Sequence, residues 1–374
     1  MKGWKMKMDM EKYQPRWNEV KERFEAWWNR SSCGRPLMRV VAQRDEPCGP
    51  VVPMPPPASS EQQHADPDYN VACFRNYLNT HHFMAEAYPN TNINIGPGSL
   101  SVYLGAEPEF APDTIWYKPC IRDWKTWEFK FDADNRWFKR HIEAIKRQKE
   151  LSGGEFLVGI PDLLEGVDIL SAMRDPMEFC YDLIDHPELI KKHLSVLNGL
   201  YHGYFDSFHE ISKDEEGNCF TAFQIWGRGK TVKLQCDFAA LMNPEQFREF
   251  VVPYLRDQAR HYDRRLYHFD GSDALPHLDA LLGIPEIDAF QWVPGAGKPP
   301  MGEEKWFWIY DKARDCGKSL WLSLSGYADY KEMLAAADGL VRRYGDKGVY
   351  LLFPDMSKKE ADDLMRHAEK RWTA

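Results

Sequence analysis

The sequence predicts an α/β fold built on a parallel sheet. From Phe156 onward, short apolar segments alternate with long amphipathic ones for about 200 residues, far more than one βαβ unit requires. Such alternation is typical of parallel strands covered by helices. No GxGxxG or GxxxxGK[ST] motif opens a helix after a strand, so a nucleotide-binding sheet is disfavoured. We therefore predict a (β/α)8 TIM barrel, in which the chemistry lies at the carboxyl ends of the strands.

The predicted strands are short apolar runs that end in turn-forming residues. They are Phe156–Ile160, Thr221–Trp226, Leu266–Asp270, Asp288–Val293, Ser319–Ser323 and Gly348–Phe353. The clearest predicted helices between and after them are Pro187–Ile211, Glu304–Cys316, Tyr330–Tyr344 and a final helix that ends near Trp372. Two helices begin with capping-box patterns, one at Asn243 with Gln246 and one at Ser357 with Glu360.

The N-terminal region differs from the rest of the chain. Residues Lys12–Arg30 show helical spacing of aromatic side chains, which predicts an amphipathic helix. The Pro-rich segment Gln43–Pro67 predicts a long loop, more simply a solvated loop than a lid or an interface arm. We therefore divide the chain into an N-terminal helix and Pro-rich extension, residues 1–90, packed on a barrel of residues 91–374.

Composition narrows the classes of function. The chain has 374 residues, 43% of them apolar, and a net charge of −9, so neither nucleic acid nor an anionic membrane is the expected partner. Apolar runs are too short to span a bilayer, and no apolar stretch follows the lysines of the first ten residues. The eight cysteines form no CxxC pair, which indicates reduced thiols and a cytoplasmic location.

The strand-end rule selects the candidate site residues. Polar groups are costly to bury, so those at strand ends are the best candidates for function. The selected residues are Asp162, Trp226, Arg228, His268, Asp270, Gln291, Trp292 and Asp355.

His268 and Asp270 form the sharpest candidate. Because side chains alternate along a strand, both point the same way. An imidazole beside a carboxylate can bind a divalent metal such as zinc, or act as a general base with its orienting acid. The alternative is structural, with His268 bonded to a backbone carbonyl and Asp270 to the next turn. Further metal ligands would come from Cys236, Asp237, His277, Asp279 or Asp355.

Two segments resemble the uroporphyrinogen decarboxylase superfamily. Residues 267–271, Tyr-His-Phe-Asp-Gly, resemble its H-x-[CD]-G strand end, and residues 242–254 resemble its S-P-x-x-F-x-E-F-x-x-P helix. Arg39 after Met38 matches the first arginine of the decarboxylases' M-R-Q-A-G-R segment. The Ala-Gly-Arg that should follow is absent, and Val40, Val41 and Ala42 stand there instead.

The resemblance implies a TIM barrel and one of two enzyme classes. The superfamily contains a cofactor-free decarboxylase and zinc-dependent methyltransferases that move methyl groups between a corrinoid and a thiol. His268 matches the methyltransferases' zinc-binding histidine, whereas Asp270 replaces a cysteine. Oxygen ligands suit harder ions than thiolates do, so the resemblance implies a methyl donor or acceptor that bears oxygen.

Three functions therefore stay open, with methyl transfer favoured. In the first, the enzyme moves a methyl group between a small substrate and a corrinoid cofactor or corrinoid protein. His268 and Asp270 would hold the metal or polarise the substrate, and Trp226, Gln291 and Trp292 would line the pocket. In the second, a metal-free decarboxylase uses Asp162 or Asp270 as a proton relay and Arg228 as a carboxylate clamp. The third is a non-catalytic ligand-binding barrel. The sequence leaves open whether the protein forms a homodimer.

Overall fold

The computed structural model describes residues 9–92, 95–164 and 166–373. The lysines at positions 2, 5 and 7 lie outside these residues. The strands are β1 Leu37–Gln43, β2 His81–Ala85, β3 Asn90–Thr91, β4 Glu107–Phe110, β5 Ile115–Lys118, β6 Leu157–Val158, β7 Cys219–Thr221, β8 Ile225–Gly227, β9 Thr231–Gln235, β10 Arg264–Asp270, β11 Ala289–Val293, β12 Ser319–Ser323 and β13 Val349–Leu352.

Helices separate most of these strands. They are α1 Trp17–Trp28, α2 Ser60–Ala65, α3 Pro67–Thr80, α4 Leu100–Tyr103, α5 Arg136–Ser152, α6 Gly166–Arg174, α7 Pro176–Asp185, α8 Pro187–Ser212, α9 Pro244–Phe250, α10 Val252–Ala259, α11 Leu278–Leu282, α12 Phe307–Asp315, α13 Tyr330–Tyr344 and α14 Lys358–Arg371. In the part of the chain that the structure describes, no helix combines the length and the apolar character that a bilayer span requires.

A seven-stranded sheet organises the fold, in the order β2-β1-β13-β12-β11-β10-β9. Six of its strands are parallel, and β2 pairs antiparallel with β1 at one edge. Strands β3 and β6 form a separate parallel pair. The predicted parallel sheet with covering helices is confirmed, and the architecture is compatible with a TIM-barrel-like fold. Strand pairing among the described residues does not close a ring, so the predicted closed barrel is not detected.

The strand predictions succeed in the C-terminal half. β12 has the predicted bounds, and β10, β11 and β13 differ from prediction by no more than two residues at either end. Both predicted capping boxes are present, at the starts of α9 and α14.

The predicted strand Thr221–Trp226 is wrong. The chain turns back at Phe223 and Gln224, which have φ values of 68° and 56°, so β7 and β8 form an antiparallel hairpin. The strand that enters the parallel sheet is β9, which follows the hairpin and pairs with β10.

The two faces of the sheet pack differently. On the face that we call the inner face, Leu266 of β10 joins a cluster of buried aromatic residues that includes Trp226 and Tyr350. On the opposite, outer face, Tyr267 and Phe269 join the main core beneath the helices. The even-numbered positions of β10, which include His268 and Asp270, therefore lie on the inner face.

Helix α1 packs at the amino ends of the strands. Its buried residues are Trp17, Val20, Phe24, Trp27 and Trp28, which confirms the predicted amphipathic helix within shorter bounds. The indole of Trp27 donates to the carbonyl oxygen of Leu320, and the carbonyl oxygen of Trp27 accepts from the Ser319 hydroxyl. The Pro-rich segment is mostly irregular, but it contains α2, which the Ser59 side chain caps.

Candidate functional site

Three ionisable side chains converge at the carboxyl ends of β9 and β10. Asp237 follows β9 by two residues, and β10 carries His268 and Asp270. One ligand atom from each of the three residues lies within 4.8 Å of the others. The strand register explains the convergence, because His268 pairs with Gln235 on one side and with Gln291 on the other.

Gln291 fixes the tautomer of the His268 ring. Nδ1 of His268 lies 2.7 Å from Oε1 of Gln291. A carboxamide oxygen only accepts hydrogen bonds, so Nδ1 carries the hydrogen and Nε2 keeps its lone pair. Burial, followed by the positive charge of Lys233, lowers the pKa of His268. The ring is therefore neutral near pH 7, which is the form that binds metal ions.

Asp237 is held from two directions. Asp168 accepts hydrogen bonds from the backbone N–H groups of Asp237 and Phe238, at 2.9 and 2.8 Å. Nε2 of Gln235 donates to Oδ2 of Asp237 at 2.7 Å. Asp237 is exposed as a residue, but neighbouring protein groups displace part of the water around its carboxylate. The resulting loss of hydration, and then the negative charge of Asp168, raise the pKa of Asp237 to about 7.

Lys233 places a buried positive charge beside this group. Its side chain is only 2% exposed, and Nζ lies 2.7 Å from Oδ1 of Asp162. Nζ also donates to the side-chain oxygen of Gln235, and the side-chain nitrogen of Gln235 donates to Asp237. Buried ions require close partners. The chain Asp162–Lys233–Gln235–Asp237 therefore links the segment after β6, strand β9 and the site in one polar network.

The acidic groups of the site differ in how their charges are compensated. Lys233 compensates Asp162, and backbone N–H groups compensate Asp168. Among residues 9–92, 95–164 and 166–373, no lysine or arginine forms an ion pair with Asp237 or Asp270. One imidazole nitrogen and two carboxylates are a donor set that binds zinc and other divalent ions. The residues present therefore fit a divalent metal.

Asp162, His268, Asp270 and Gln291 are brought together as the strand-end rule predicts. Trp226 and Arg228 are not, because they precede β9 and lie at its amino end. The Trp226 carbonyl oxygen accepts from the Trp28 indole, and Arg228 pairs with Glu22 of α1 at 2.5 Å. The predicted placement of both residues beside the substrate is corrected accordingly.

Trp292 also lies away from the site. It is fully buried on the outer face, where its ring packs against Phe269 at 5.6 Å and Trp306 at 5.4 Å. Alternation along β11 explains the difference, because Gln291 points inward and its neighbour must point outward. The predicted role of Trp292 in lining the pocket is therefore replaced by a role in the core.

The remaining candidate ligands have other partners. His277 bonds to the Ala239 carbonyl oxygen at 2.9 Å, and Asp279 pairs with Lys312 on the surface. Asp355 binds Arg39 at 3.1 Å and the Tyr77 hydroxyl at 2.6 Å. Only Asp237 of this set joins His268 and Asp270 in the group of potential ligands.

Sequence reasoning missed Lys233 and Gln235. The run Thr-Val-Lys-Leu-Gln at 231–235 alternates as a strand should, with positions 231, 233 and 235 on one face. That alternation would have placed Lys233 and Gln235 beside Asp237 at a strand end.

Comparisons with known proteins agree with this architecture at the level of the fold. The chain matches no protein-family model and no curated protein. Among solved structures, it is similar to a methyltransferase from Methanosarcina mazei, with a TM-score of 0.60 and 14% sequence identity. The alignment covers 94% of this chain and 98% of that chain. At this identity, the similarity concerns the fold alone.

Proposed function

We propose that the protein is a metal-dependent methyltransferase of the uroporphyrinogen decarboxylase superfamily. It would move a methyl group between a small methylated substrate and a corrinoid, with the corrinoid as a second substrate that a partner protein delivers. The observation that carries the proposal is the convergence of Asp237, His268 and Asp270 at the carboxyl ends of two parallel strands. The fold similarity to a methyltransferase and the motif around His268 support it further.

Each residue of the site has a role in this proposal. Asp237, His268 and Asp270 would hold the metal, and Gln291 would keep Nε2 of His268 free to bind. A divalent ion bound there supplies Lewis acidity at the heteroatom that carries the methyl group. Gln235 orients Asp237.

The reaction balances without a further redox partner. The bond between the methyl carbon and its heteroatom breaks, and the electron pair stays on the heteroatom, which takes a proton from solvent. Cobalt(I) of the corrinoid supplies the electron pair of the new carbon–cobalt bond. The protein's contribution is to orient the donor and to stabilise charge on its heteroatom.

A methyl-transfer assay with matched variants tests the proposal. Protein purified without chelator is assayed with cob(I)alamin and one of four methyl donors: methanol, methoxybenzene, trimethylamine or dimethyl sulfide. We expect bound divalent metal, and conversion to methylcob(III)alamin by at least one donor. His268→Ala should abolish both, whereas His367→Ala, at an ion pair on α14, should change neither. Absence of metal together with no spectral change for any donor would contradict the proposal. Chelator-resistant release of CO2 from carboxylated substrates would favour the decarboxylase instead.

A further inference from the structure

A strained hairpin tip lies next to the candidate metal site. Phe223 and Gln224, between β7 and β8, both have left-handed backbone conformations, with φ values of 68° and 56°. Residues other than glycine, asparagine and aspartate rarely adopt this backbone conformation. Two such residues in succession persist only where the surrounding structure holds them, and such positions cluster at functional sites.

Four hydrogen bonds to three neighbouring side chains hold this tip. The Trp321 indole donates to the Phe223 carbonyl oxygen at 2.7 Å, and the Tyr350 hydroxyl donates to that of Gln224 at 3.2 Å. The side chains of Gln224 and Asn90 exchange two further hydrogen bonds, at 2.6 and 3.1 Å. The tip is therefore anchored to β3, β12 and β13 at once.

The anchored tip places the Phe223 ring against the site. The ring centroid lies 4.9 Å from that of His268, with an angle of 34° between the planes. Nζ of Lys233 lies 5.6 Å from the same centroid, and the Trp321 ring lies 6.0 Å away, edge to face. Phe223 is only partly buried.

We propose that Phe223 determines substrate specificity by stacking against a planar aromatic body whose oxygen binds at the Asp237–His268–Asp270 site. This inference rests on the proposed function and specifies its substrate class. Oxygen ligands suit a hard metal ion, which favours an oxygen-bearing substrate, and a partly buried aromatic ring beside them favours a flat apolar partner. This role explains the strained backbone, since the backbone conformation brings the Phe223 ring to the proposed metal site.

Ligand binding to the cobalt-loaded protein tests the proposal. Metal-free protein is loaded with Co2+, and the visible absorption bands of the ion are followed while phenol or cyclohexanol is added. We compare the wild type with Phe223→Leu, Phe223→Tyr and Phe223→Gly. The ratio of phenol to cyclohexanol affinity should fall about fivefold in Phe223→Leu and remain in Phe223→Tyr, since an aromatic pair contributes this much beyond its buried area. Comparing ratios between variants removes the difference in acidity of the two alcohols.

The controls separate substrate contact from folding. Phe223→Gly removes the ring but suits the left-handed backbone. Its ratio of phenol to cyclohexanol affinity can therefore be measured even if Phe223→Leu does not fold. Its ratio should fall as in Phe223→Leu, while its Co2+ affinity stays within about twofold of wild type. Equal ratios in all variants, with Co2+ bound, would overturn the role of Phe223 and leave the metal site intact. Failure of the wild type to bind Co2+ would overturn the metal site and this inference together.

Discussion

The two ends of the inner face carry charge in different ways. At the amino end, Arg264 of β10 pairs with Glu25 of α1 at 2.6 Å, and Arg228 pairs with Glu22. At the carboxyl end of the same strand, Asp270 and the nearby Asp237 have no lysine or arginine partner within the described ranges. The aromatic cluster that includes Trp226 and Tyr350 packs on the inner face with Phe223 against it. The charges at the amino end are paired within the fold, whereas Asp237 and Asp270 form no such pair among the described residues.

The largest expected effect concerns the proposed metal ligands. Asp270→Asn and His268→Ala should each lower the affinity for Zn2+ or Co2+ by more than about 100-fold, because loss of a mere supporting partner already costs roughly 10–100-fold. A competition titration against a chromophoric chelator measures this affinity. Asp279→Asn is the matched control, since Asp279 is an exposed partner of Lys312. If Asp270→Asn and the control bound the metal equally well, the proposed difference between the two ends of the inner face would be wrong.

A substitution in a charged network away from the site should lower stability and leave metal affinity unchanged. Buried Glu86 accepts from Arg23 at 2.6 Å and from both terminal nitrogens of Arg35. Glu86→Gln should lower the free energy of unfolding by about 3–5 kcal/mol, because two guanidinium groups lose their counter-ion. Urea unfolding measures the loss, and metal affinity should not change. Asp134→Asn, at an exposed ion pair with Lys139, should leave the free energy of unfolding nearly unaltered.

A smaller effect should follow from removing the partner of His268. Gln291→Leu takes away the acceptor for Nδ1–H, so metal affinity should fall by about 10–100-fold. Gln291→Glu keeps an acceptor oxygen at this position and should retain most of the affinity. Calorimetric titration with Zn2+ distinguishes the variants. If Gln291→Leu bound Zn2+ as tightly as wild type, the proposed role of Gln291 in holding the His268 ring would be wrong.

The smallest effect should come from Arg228. Its ion pair with Glu22 is exposed, so Arg228→Ala should cost less than about 1 kcal/mol of stability. Turnover and KM should match wild type in a steady-state methyl-transfer assay, because Arg228 lies at the amino end of β9. A large rise in KM for a carboxylated substrate would instead restore its predicted role as a clamp.

The sequence was most informative where local patterns and tertiary structure agree. Alternation in β10 was sufficient to place His268 and Asp270 on the same face, and β12 was predicted with its observed bounds. The hairpin of β7 and β8 was missed because its turn contains Phe223 and Gln224 instead of the glycine or asparagine that normally marks such a turn.

Lys233 and Trp292 show a second limit. A lysine within a short strand is typical of a solvated edge, and its burial depends on Asp162, which lies in the segment after β6 and is distant in sequence. Trp292 was assigned to the pocket because it lies at a strand end, but its neighbour Gln291 occupies the inward position. Which residues face inward depends on register with neighbouring strands, and a single sequence does not contain that register.

Anomalous X-ray scattering from crystals grown with Zn2+ tests the central claim most directly. We predict a strong peak at the zinc edge between the carboxylates of Asp237 and Asp270 and the imidazole of His268, within coordination distance of all three. A saturated crystal with no peak there, or with its zinc bound elsewhere on the protein, would contradict the proposed metal site.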